Sequence, residues 1–128
     1  MDAQKQLELL DSSLKWLFLI VSGVLLSFCA TARQREAICL ALAGETEKAA
    51  AVGEVLPVRR LVALLVLLAL TFFFLVSLNV EEHALESGDE AAIRSARLNR
   101  WASLFVLSAA VLRFFDVNEA RTAEESRL

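Results

Sequence analysis

The chain has no tyrosine, one proline, one histidine, two cysteines and four glycines in 128 residues. Each scarcity excludes something. So little glycine and proline leaves few tight turns, which argues against many short strands and makes helices the default. Cys29 and Cys39 are too few for a disulfide framework. On one continuous helix they stand about 15 Å apart along the axis, beyond the roughly 7 Å Cα limit for a bond. Two small apolar residues in packing positions, or a bridge between subunits, are the readings left. His83 has Glu82 and Glu86 nearby but neither the Glu-x-x-His nor the His-x-x-x-His spacing of a metal site, so a solvated side chain is expected. The motifs G-x-S-x-G, H-E-x-x-H and C-x-x-C and the phosphate-binding loop are also missing. No catalytic, cofactor or metal residue is expected, and the chain reads as a non-enzyme. Charge of one sign is lacking too. Thirteen Lys and Arg against sixteen Asp and Glu give −3, with no basic block to hold nucleic acid.

What the sequence has in quantity is hydrocarbon. It is 57% hydrophobic with a mean hydropathy of +0.56, more apolar than usual for a soluble domain. From Leu61 to Leu78 eighteen residues carry no charge, and only Thr71 and Ser77 are polar. Leu61 to Val80 covers roughly 30 Å as a helix, the thickness of a bilayer's hydrocarbon core. Its Leu, Val and Phe residues favour insertion by about 6 kcal/mol in sum. A soluble amphipathic helix would keep a polar stripe, whereas Phe72, Phe73 and Phe74 point three ways. A chain of 128 residues lacks the layers to cover such a helix on every side.

Two further runs resemble it. Trp16–Ala32 is uncharged and ends at Arg33 and Arg35. Ala30-Thr31-Ala32 imitates a signal-peptidase site, but Asp2, Glu8 and Asp11 before the run are wrong for a positive leader. Trp101–Phe115 gives only about 22 Å of helix. Leu98 and Val117 extend it, with Arg100 and Arg113 snorkelling and Arg113 paired to Asp116 at i,i+3. The expected fold is therefore all-α: an integral membrane protein of one domain, 1–128, with transmembrane helices at about 14–33, 58–80 and 98–117. The first helix should run on to Leu42, stop at Gly44, and be followed by Gly53 and Pro57 before the second. The polar tail 118–128 is expected to fray.

Ser87-Gly88-Asp89 supplies turn chemistry between the second and third helices. An antiparallel hairpin folded about Gly88 sets residues whose numbers sum to about 176–178 opposite one another. Glu81 then faces Arg97, Glu82 faces Arg94, and Asn79 faces Asn99 across the hairpin. Such polar pairs fix register more than they stabilise.

Basic residues number eight on the side of the first loop and the C-terminal segment, against five on the other. That balance places the N-terminus outside. The first two runs contain no ionisable residue, which argues against a transport path. Association remains. Gly23-Val24-Leu25-Leu26-Ser27 has the small-xxx-small spacing of close helix approach, and Ser108-Ala109-Ala110 offers a second small surface. The function expected is an accessory or interaction subunit in the lipid bilayer, self-associating or bound to a larger membrane protein. The alternative is an oligomeric pore of the holin type. Small size and simplicity suit a bacterial cytoplasmic membrane.

Overall fold

A computed structural model describes residues 2–53 and 55–127, and helix makes up 92% of it, with no strand among the described residues. The elements are α1 (Ala3–Leu42), α2 (Thr46–Ala51), α3 (Leu56–Ser87) and α4 (Glu90–Arg127). The expected all-α class is what is found. Three of these helices, α1, α3 and α4, are long and apolar enough to cross a membrane.

The ends follow local chemistry. Asp2 caps α1, accepting from the Gln4 N–H at 3.4 Å. Gly44, at φ 82°, turns the chain after α1 in a conformation that costs other residues a clash. Pro57 sits in the first turn of α3, where its missing N–H has no helical partner to lose. Gly88, at φ 71°, ends α3. Asp89 Oδ1 then accepts from the Ala91 N–H at 3.1 Å and starts α4, so α3 and α4 are joined by two residues. The segment 118–127 continues α4 to Arg127. Its Ala and Glu residues are strong helix formers, and no glycine or proline interrupts them.

The helices form a row with α3 in the middle. α3 packs against α4 and against α1, while α1 and α4 do not meet among the described residues. Small residues spaced by sevens make both seams. On α1 the buried positions are Gly23 and Ala30, with Ala37 half-buried. A Cβ at position 23 would stand 3.6 Å from Val62 and 3.7 Å from Val66. Seven residues on from Val62 comes Ala69, fully buried. One residue out of phase, Ser77 and Ala84 are buried towards α4, whose own buried positions are Ala96 and Ala110. A seven-residue repeat keeps one seam turned to one neighbour. Two such repeats, offset by one residue, let α3 serve two neighbours at once.

The outer faces are a different matter. Only 11%, 11% and 6% of the most apolar stretches of α1, α3 and α4 are buried, so leucines and phenylalanines line the exterior. Phe18, Phe28 and Phe105 are about 70% exposed.

Candidate functional site

Two places concentrate polar chemistry against hydrocarbon. The first is the turn end of the hairpin. The Glu81 carboxylate is the centre of a three-residue cluster: its Oε1 lies 3.6 Å from Arg97 Nε and its Oε2 lies 2.6 Å from Arg100 Nε. The glutamate side chain is 13% exposed, and Arg100 is the more sheltered of its two partners. Arg100 Nε makes no aligned hydrogen bond with Glu81, so proximity of charge holds this pair. The guanidinium of Arg100 also sits 5.2 Å from the centre of the Trp101 ring.

The hairpin count matches Glu81 with Arg97 but assigns Arg100 only to the interface. The signal was available, since Arg97 and Arg100 are three residues apart and share one face of a helix. Asn79 and Asn99 make no hydrogen bond with each other among the described residues, contrary to expectation. Two residues separate Asn79 from Glu81, which is about 200° around the helix. With Glu81 turned to α4, Asn79 turns to α1, where it borders a cleft with Lys5, Glu8 and Ser12. Its carbonyl accepts from His83 Nδ1–H at 2.8 Å, and that histidine is half-buried rather than fully solvated. Glu82 and Arg94 are both exposed and form no ion pair with each other. Glu82 lies about 100° from Glu81 and so off the seam.

The second place is a groove between α1 and α4. Its wider end is a cleft of about 370 Å³ lined by Ser27, Thr31, Arg59, Arg113 and Asp116 above Val62 and Val66. Arg59 Nη2 donates to Gln34 Oε1 at 2.5 Å, linking α3 to α1. Arg113 and Asp116 border the same cleft, but the ion pair expected between them does not form.

The small residues proposed for packing divide. Gly23 is in a seam, whereas Ser27 is exposed at the groove and Ala109 is exposed outside it. Ala110, one residue on and about 100° round, takes the buried position. Cys29 and Cys39 are free and exposed on α1, so neither packs inside the chain.

No family model, curated protein or solved structure matches this chain. Its reading rests on its own geometry. Among the described residues no three His, Cys, Asp or Glu side chains gather as a metal site.

Proposed function

We propose that the chain is an integral membrane protein with α1, α3 and α4 as three spans, and that it acts as a non-catalytic accessory or interaction subunit. A bacterial cytoplasmic membrane is the proposed setting. One observation carries the reading: the most apolar stretches of all three helices leave about nine-tenths of their residues unburied. Water would penalise that surface at about 25 cal/mol per Å², whereas lipid or a partner's helices would not. The three-in-a-row arrangement supports the interaction role, because each outer helix has one face packed and the remainder open.

The holin-like alternative needs a polar stripe to line a channel. The charge-free stretch of α3, with Thr71 and Ser77 turned back onto their own backbone at 2.8 and 2.6 Å, offers none.

Two measurements test the proposal. In a background with Cys29 and Cys39 changed to Ala, D2C and T122C should label from opposite sides of the membrane. Labelling from one side excludes three spans. The complex extracted from native membranes in mild detergent should contain a second protein in fixed ratio, whereas a homo-oligomer alone would favour the holin-like pore. A lone 14.1 kDa chain would count against the interaction role.

A further inference from the structure

The groove between α1 and α4 is apolar along its length and basic at its head. One stripe of α3 floors it, from Arg59 through Val66 to Phe73. Its inner part, about 310 Å³ between Leu17 and Ile20 of α1 and Ala102 and Val106 of α4, has an almost wholly hydrocarbon lining. Its head holds two guanidinium groups and one carboxylate. Arg59 is tied to Gln34, but Arg113 has no ion-pair or hydrogen-bond partner among the described residues. Arg113 is exposed at the cleft, which it borders together with Val66.

The geometry points to a phospholipid with an anionic headgroup as the occupant, its phosphate on Arg113 and Arg59 and one acyl chain along the groove. This inference rests on the membrane reading above. Two arguments select this occupant. A guanidinium presents a fork of donors that matches a phosphate, and basic pockets between membrane helices hold anionic headgroups. The size also fits, since clefts of about 300–1,000 Å³ are the usual scale for small-molecule ligands. Ser27, exposed on the α1 wall, faces the headgroup end, which gives the small residue at that position a role other than helix packing.

The test is native mass spectrometry of the full chain released from neutral detergent micelles containing equal amounts of phosphatidylglycerol and phosphatidylcholine. One phosphatidylglycerol per chain is expected, favoured about tenfold over the zwitterionic lipid. R113Q should abolish the preference, while R94Q, at the other end of the molecule, should keep it. Circular dichroism and carbonate-resistant membrane pelleting of R113Q show whether that variant still folds and inserts. Equal retention of both lipids overturns the inference, as does a preference that survives R113Q. A lipid-free dimer overturns it too, by giving the groove to a second copy. If the unaltered chain is washed from membranes by carbonate, the membrane reading itself fails, a result distinct from insertion without lipid preference.

Discussion

The two seams of α3 are built differently. Towards α4 the chain turns in two residues, Gly88 and Asp89, and then places Ser77, Ala84, Ala96 and Ala110 in the contact with Glu81, Arg97 and Arg100 at its end. Towards α1 the connection runs from Ala43 to Val55 with α2 inside it, and the contact relies on Gly23 and Ala30, a stacked Trp16–Phe72 pair at 5.5 Å, and one exposed Gln34–Arg59 hydrogen bond. The short link and the charge cluster fix one register for the hairpin. The long link imposes none, so the α1 contact must find its register through side chains alone. A hairpin is specified locally; the docking of α1 is specified only by shape.

Substitutions can break that contrast, and the largest effect belongs to the hairpin. S77L puts three carbon atoms in place of one hydroxyl in a site that is 1% exposed, and should cost about 3 kcal/mol in unfolding from mixed micelles, with loss of the α3–α4 contact. Glu81→Gln leaves the sheltered Arg100 without its counter-charge and should cost about 1–3 kcal/mol by the same measurement. On the other seam W16A removes the aromatic stack and should cost about 0.5–1.5 kcal/mol beyond the lost area. It should increase hydrogen exchange in α1 while leaving the hairpin protected. A W16A variant that loosens α3 and α4 equally would show the two seams to be one cooperative unit. The smallest change has the opposite sign. A Cβ at Gly23 meets Val62 and Val66 at ordinary contact distance, so G23A should stabilise by about 0.5–1 kcal/mol through helix propensity. Destabilisation by G23A would mean that α1 lies closer to α3 than these distances state.

The helices were legible in the sequence for a plain reason: charge-free runs of sufficient length declare themselves without any neighbour. Gly44, Pro57 and Gly88 were legible as boundaries because their backbone constraints are local. The seams were not, since choosing among Gly23, Ser27 and Ala30 requires the direction of the partner helix. The four-residue spacing Gly23–Ser27 and the seven-residue spacing Gly23–Ala30 are both present in one stretch, and only the second is buried. The choice between Ala109 and Ala110 has the same cause. Among the polar residues, Asn79 and Glu81 cannot both face α4, and a register count by height ignores that rotation. The groove was invisible from sequence because it exists only where α1 and α4 fail to meet.

The central position of α3 also sets an order of events. Chains are made from the N-terminus at about 5–20 residues per second, so α1 is complete for a few seconds before the part of α3 that covers it has been synthesised. During that interval the seam at Gly23 and Ala30 has no partner from its own chain, and α4, which follows α3, does not pack on α1 among the described residues. Assembly therefore proceeds by capture: α3 arrives and must choose its first neighbour, with α1 already waiting and α4 still to come.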